Sequence, residues 1–247
     1  MLNEPTNEKL YDMRLSAMAE AWLAQQKDPK LGALSFDERF ALLVDAEHMA
    51  RDNRRITRLL KDADLRIPNA CIEDVKTSPA RGLEKAMVRQ LGSCAWIGEH
   101  LNVLITGLTG VGKSYLASAL GQAACRKGLR VSYRRVPRLF DELNLARADG
   151  SYARVLSRLA KADLLILDDL GLGAPKETQR NDLLEVLEDR YGRASTVMTS
   201  QLDVKKWHEW IGDPTLADAI LDRLVHNAYK LELAGPSGRK EKGTNKH

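Results

Sequence analysis

The octapeptide Gly107-Leu-Thr-Gly-Val-Gly-Lys113-Ser114 decides how this chain is read. It fits the phosphate-loop pattern Gly-x-x-x-x-Gly-Lys-Ser/Thr, and its flanks fit as well. Leu101-Asn-Val-Leu-Ile-Thr106 ahead of it is an apolar run suited to a buried strand. Behind it, Tyr115 to Lys127 places Leu116, Ala119, Leu120, Ala123 and Ala124 at helical spacing. Glycines at 107, 110 and 112 let the backbone turn its N–H groups inward toward an anion. The helix N-terminus adds a partial positive charge at the same place. Lys113 is expected against the β- and γ-phosphates of a nucleotide, and the Ser114 hydroxyl on Mg²⁺. Gly107, Leu108, Thr109, Gly110, Val111, Gly112, Lys113, Ser114 and Tyr115 are the candidate ATP-binding set.

A second motif completes the chemistry. Ala162-Asp-Leu-Leu-Ile-Leu-Asp168-Asp169 runs four apolar residues into two acids, as a buried strand does when it delivers carboxylates to the phosphate edge of a sheet. Asp168 is expected to orient Mg²⁺, and Asp169 to polarise an attacking water. A short strand at Arg130-Val-Ser-Tyr133 lies between the two motifs, which points to the additional-strand class of phosphate-loop proteins. Ser195-Thr-Val-Met-Thr-Ser200 reads as a further strand ending in Gln201, either a γ-phosphate contact or a polar strand cap. Ala217 to His226 reads as a helix carrying Asp222-Arg223, and Tyr229 to Leu233 as a fifth strand. Arg223 and Arg239 have two readings, as phosphate ligands (Arg223 across a subunit interface) or as ordinary structural arginines.

The remainder is helical or connecting. Residues 1 to 66 carry an apolar stripe through Leu10, Met13, Leu15, Met18, Ala21 and Trp22, broken around Pro29 and Gly32. Ser35-Phe-Asp-Glu38 has the form of a capping box opening a long helix. On that helix Arg51, Arg54, Arg55, Arg58 and Lys61 fall on one side. Either they contact DNA phosphates or they form a solvated face paired with acids such as Asp52 and Asp62. Residues 67–80, with Pro68 and Pro79, read as a connector. The ATPase domain then covers 81–240, its first helix running from Arg81 to about Trp96, and 241–247 form a basic disordered tail.

Composition limits the alternatives. A hydrophobic fraction of 44% with 29% charged residues is that of a soluble globular protein. No apolar run approaches the about 20 residues of a membrane helix. Glu4 and Glu8 do not suit a signal peptide, and Cys71, Cys94 and Cys125 lack metal-ligand spacing. Reduced thiols in a cytoplasmic protein are the expectation. The net charge of +4 leans toward nucleic acid without deciding it.

With these residues in view, the chain resembles the IstB-like ATPases, AAA+ helpers of insertion-sequence transposases related to DnaC-type helicase loaders. The likeness takes in Leu15-Ser-Ala-Met-Ala, Leu34-Ser-Phe-Asp-Glu-Arg, Arg54-Arg-Ile-Thr-Arg-Leu-Leu-Lys and the phosphate loop. It continues through Leu-Leu-Ile-Leu-Asp-Asp-Leu-Gly171, Asp189-Arg-Tyr, Thr199-Ser-Gln, Leu221-Asp-Arg-Leu-Val-His-Asn-Ala and Gly-Pro-Ser-Gly-Arg239. The resemblance implies an α/β AAA+ core with a five-stranded parallel sheet, order 5-1-4-3-2, and a small all-helical N-terminal domain. It also implies homo-oligomers with ATP at subunit interfaces on duplex DNA, and delivery of target DNA to a partner transposase. By position, Lys113 and Ser114 are the Walker A pair, Asp168 and Asp169 the Walker B pair, and Gln201 the phosphate sensor. Arg223 matches the arginine finger and Arg239 a second sensor. The short Asp169 and long Gln201 imply slow hydrolysis of ATP, stimulated by DNA and oligomerisation. Basic residues facing a channel would be Arg130, Arg134, Arg135 and Arg138, besides the N-terminal stripe. Two other roles share this core chemistry: a helicase loader, and a non-catalytic assembly protein switched by ATP.

Overall fold

The computed structural model describes residues 3–236. The chain divides into two compact units, residues 1–58 and 59–247, so the division falls inside one helix rather than in the expected 67–80 connector.

The first unit is helical: α1 (Asn3–Asp12), α2 (Ser16–Lys27) and most of α3 (Phe36–Ala63). The capping box is formed as read. The Glu38 backbone N–H donates to Ser35 Oγ at 3.3 Å, and the Glu38 carboxylate accepts from the Ser35 N–H at 2.8 Å. The start of α2 has no cap of its own. Glu47, buried on α3, supplies one by accepting from the N–H groups of Ala17 (3.0 Å) and Met18 (3.2 Å). Arg51 and Arg54 pair with the same carboxylate at 2.8 and 3.2 Å. Two of the basic stripe's members therefore hold helices together, while Arg55, Arg58 and Lys61 are exposed.

The second unit is built on five strands, β1 (Asn102–Gly107), β2 (Val131–Arg135), β3 (Leu164–Leu170), β4 (Ser195–Ser200) and β5 (Ala228–Leu233). Every pairing is parallel, and the order β2-β3-β4-β1-β5 is the expected 5-1-4-3-2 read from the other edge. Unbroken apolar runs make the central strands because both faces of a parallel sheet are covered. Val103, Ile105, Leu164, Ile166 and Val197 enter one core layer, and Leu104, Leu165, Leu167 and Met198 the other. The first layer is closed by α4 (Lys85–Gly92), α5 (Ala95–Gly98) and α6 (Lys113–Arg126). The second is closed by α7 (Val136–Asp149), α8 (Tyr152–Ala160), α9 (Glu177–Glu188), α10 (Trp207–Ile211) and α11 (Pro214–Val225).

Two local features differ from the sequence reading. The single helix expected over Arg81 to Trp96 breaks between α4 and α5, where Cys94 takes a left-handed φ of 61°. The end of α3 and the stretch after it are part of the core: Leu59 and Ala63 of the helix and Leu65 and Leu83 beyond it are buried in the first layer. Gly121 makes room for it, since a Cβ there would lie 2.8 Å from both Leu65 Cδ2 and Ile166 Cδ1. Among the described residues, no helix is long and apolar enough to cross a membrane.

Candidate functional site

The sheet sends the C-terminal ends of β1, β3 and β4 to one edge, where ligands of open parallel sheets bind. The phosphate loop joins β1 to α6 there. Gly107 has φ 137°, and a Cβ at that position would lie 2.2 Å from the Leu233 carbonyl oxygen. No side chain can replace it without moving β5. Lys113 is buried at the head of α6, its ammonium donating to the carbonyls of Gly107 (2.6 Å) and Leu108 (3.0 Å). The Thr109 hydroxyl donates to Gln201 Oε1 at 2.8 Å, which ties the residue after β4 to the loop.

At the end of β3 the register against β4 is irregular between Leu167 and Leu170. Asp169 takes a left-handed φ of 66° in this irregularity, a conformation that aspartate tolerates better than most residues. Thr199 on β4 holds both acids, accepting the Asp169 N–H at 3.1 Å and donating to Asp168. Asp168 is fully buried and also accepts from Ser114 Oγ (3.1 Å), the Tyr133 hydroxyl and Arg66 Nη1 (2.9 Å). Burial pushes its carboxyl up, but these donors, Thr199 foremost, outweigh that and hold it below the usual carboxylate range. Burial next to Asp168 pushes the Tyr133 hydroxyl well up, so it remains a donor.

Several participants are absent from the sequence reading. Arg66 Nη1 also reaches Asp169 Oδ2 at 3.0 Å and lies 3.4 Å from Ser114 Oγ. The Cys71 N–H donates to the Tyr115 hydroxyl (3.4 Å), and Arg81 Nη2 to the Val111 carbonyl (2.7 Å). Residues 66–81, which take in the expected connector, thus touch the second half of the phosphate loop at Val111 and Ser114 and the residue after it, Tyr115. Arg66 and Arg81 flank that connector, and no motif marks them.

The basic residues on and around β2 are mostly engaged. Arg130, just before the strand, pairs through Nη2 with Asp163 at 2.8 Å, Arg134 Nε lies 3.4 Å from Glu142, and Arg138 is exposed. Arg135, expected on DNA, donates to Asp169 at 3.0 Å. Arg223 on α11 pairs with Glu188, while its carbonyl accepts from Asn102 Nδ2 at 3.1 Å. Asn102 begins β1 and Gly107 ends it, so Arg223 belongs to the edge of the sheet opposite the phosphate loop. Arg239 lies outside the described residues.

The fold is shared with solved structures. A crystal structure of DnaI matches with a TM-score of 0.58 at 23% identity, covering 72% of this chain and 94% of that one. The DnaC helicase loader matches with a TM-score of 0.54 at 18% identity, over 67% and 97%. Replication initiator DnaA bound to AMPPCP and single-stranded DNA matches at 0.56 and 19%, over 72% and 56%. At these identities the likeness is one of fold, an AAA+ core. Sequence relatives are nearer. A Sinorhizobium fredii protein, named as an ATP-binding protein of an insertion sequence, is 50% identical over 240 residues, 97% of this chain and 98% of its own. A similarly named Pseudomonas fluorescens protein is 47% identical over 202 residues, 82% and 87% of the two chains. The family model described as IstB-like ATP binding protein matches residues 8–246, and the chain belongs to that family.

Proposed function

We propose that this protein is an ATP-dependent DNA-binding helper of transposition. It oligomerises on duplex target DNA with ATP at subunit interfaces, hydrolyses that ATP slowly, and delivers the DNA to a partner transposase. The observation carrying the proposal is the convergence of Lys113, Ser114, Asp168, Asp169 and Gln201 on one edge of the sheet, in a chain whose near relatives are named for insertion sequences.

The donor set suits Mg²⁺. A serine hydroxyl 3.1 Å from a buried carboxylate kept ionised by its donors offers hard oxygen ligands. Ser114 and Asp168 would hold the ion, which when bound neutralises charge on the transferring phosphoryl group. Lys113 and the loop N–H groups bind and orient the phosphates. Asp169, turned out of the strand by its left-handed backbone, orients the attacking water. Gln201 at the tip of β4 positions the γ-phosphate, and Arg239 contacts nucleotide from the C-terminal segment. Arg223, at the opposite edge of its own sheet, serves a neighbouring subunit's site. Duplex DNA is held through phosphates by Arg55, Arg58, Lys61 and Arg138, with Arg51, Arg54, Arg130 and Arg134 contributing where their acid partners release them.

Lys113→Ala tests this reading directly. It should abolish ATP-dependent binding to a labelled duplex while leaving the fold intact by circular dichroism. Duplex binding that stays dependent on ATP in that variant would remove the phosphate loop from the mechanism.

A further inference from the structure

One nitrogen of Arg66 is the meeting point of the candidate hydrolytic site. Nη1 donates to Asp168 Oδ2 at 2.9 Å and to Asp169 Oδ2 at 3.0 Å, and lies 3.4 Å from Ser114 Oγ. Ser114 and Asp168 are the residues assigned above to a divalent cation. A hard cation of that kind draws its oxygen ligands to about 2.0–2.1 Å. Oxygens gathered at hydrogen-bond distance around a guanidinium nitrogen cannot also close on a metal ion, and the two positive charges would repel.

The surroundings show that Arg66 can leave. Asp168 keeps donors from Ser114, Thr199 and Tyr133 without it, and Asp169 keeps Arg135. The Asp168 side chain is 0% exposed but that of Arg66 is 32% exposed, so the guanidinium covers the acid from the solvent side and can withdraw into water. Arg66 is also the third residue beyond Ala63, the end of α3.

Resting on the nucleotide-site reading above, we propose that Arg66 is a built-in competitor of the divalent cation. It neutralises the acid pair until metal-bound nucleotide displaces it. Binding of ATP with its metal, and not of free nucleotide, is then the event that turns the Arg66 side chain out of the site. A phosphate ligand in the same place would behave in the opposite way. Removing a ligand weakens binding, whereas removing a competitor tightens it.

The test is titration of the nucleotide-free full-length protein with Mn²⁺, following the resonance of the free ion. Arg66→Ala, with Arg66→Gln as a second neutral variant, should bind Mn²⁺ about tenfold more tightly than wild type, ~1.4 kcal/mol. Arg66→Lys, which keeps the charge, should fall between. Asp168→Asn should abolish the binding in every background. With ATP present, the Mg²⁺ concentration for half-maximal nucleotide binding should drop by a similar factor in the neutral variants. Asp168-dependent Mn²⁺ binding that is equal or weaker in both neutral variants overturns the competitor and leaves the metal assignment standing. Absence of any Asp168-dependent Mn²⁺ binding overturns the metal assignment and the competitor with it.

Discussion

Thr199 shows how much of the site rests on single atoms. Its hydroxyl donates to Asp168 and accepts the N–H of Asp169, so it ionises one acid and fixes the left-handed backbone of the other. Thr199→Val keeps the shape, leaves the Asp169 N–H without its acceptor and takes a donor from the fully buried Asp168. The expected cost is about 1–3 kcal/mol in urea unfolding, with a larger loss in metal-dependent nucleotide affinity. A variant as stable and as tight as wild type would mean that the hydroxyl is dispensable. Arg190 makes a similar case in the core. Its buried guanidinium donates to the carbonyls of Leu159 (2.7 Å), Ala162 (2.8 Å) and Ser195. Arg190→Met takes a charged donor from each of these carbonyls and should destabilise the protein by about 3 kcal/mol, measured the same way. Lys113, Ser114, Asp168 and Gln201 were legible in the sequence because a strand followed by a loop carries them in local patterns. Thr199, Tyr133 and Arg66 were not. Their roles depend on which strands flank β3 and on where the chain passes after α3.

At the level of elements, the N-terminal helices are joined through one carboxylate. Glu47 caps α2 from α3 and pairs with Arg51 and Arg54. Burial pushes it up, but the hydrogen bonds from Arg51, Met18 and Ala17 prevail and hold it below the usual value. A carboxyl depressed by folding contributes stability above its unfolded pKa and loses it as pH falls through the folded one. Acidification from about pH 5 to about pH 3 should therefore lower the melting temperature of the N-terminal unit. Glu47→Gln should melt roughly 5 °C lower at neutral pH and show a flatter acid limb. An unchanged acid limb would place the transition elsewhere. The capping box at Ser35 was legible because both partners lie within one turn. The Glu47 cap joins residues thirty apart, and in sequence Glu47 is simply a helical acid. The helix break at Cys94 follows directly on Gly92, the last residue of α4, which the apolar pattern on either side of it masks in the sequence.

At the level of the whole molecule, the sheet separates the two edges on which the proposed assembly depends. The six residues of β1 from Asn102, the Arg223 contact, to Gly107 span about 17 Å of extended chain, too far for Arg223 to reach the phosphate loop of its own subunit. Arg223→Ala should keep ATP affinity and lose turnover. Mixing it with Asp169→Asn should restore part of the phosphate release, because each variant then supplies what the other lacks. No recovery would remove the trans role. DNA binding should be phosphate-driven, with each of Arg58 and Lys61 lowering the salt slope by about one when neutralised. Arg51 or Arg54 removed singly should change it less, since Glu47 already pairs with them. Equal slopes for all four would mean that the ion pairs dissolve on DNA.

By itself the sequence determined the fold class and the ligand. Phosphate-loop spacing, the acid-tipped apolar strand and the periodicity between them are short-range properties, written within a few residues of one another. The parallel order 5-1-4-3-2 followed from the family those motifs belong to, and the strand pairings bear it out. Only the tertiary structure decided which charges are spent and which are available. Arg135 goes to Asp169, Arg130 to Asp163, Arg51 and Arg54 to Glu47, and Arg66 to the acids beside the phosphate loop. An arginine is the same letter on a DNA-facing surface, in an ion pair or over a metal site. Its role depends on the oxygen that the fold brings within 3 Å, and those oxygens come from other strands and helices.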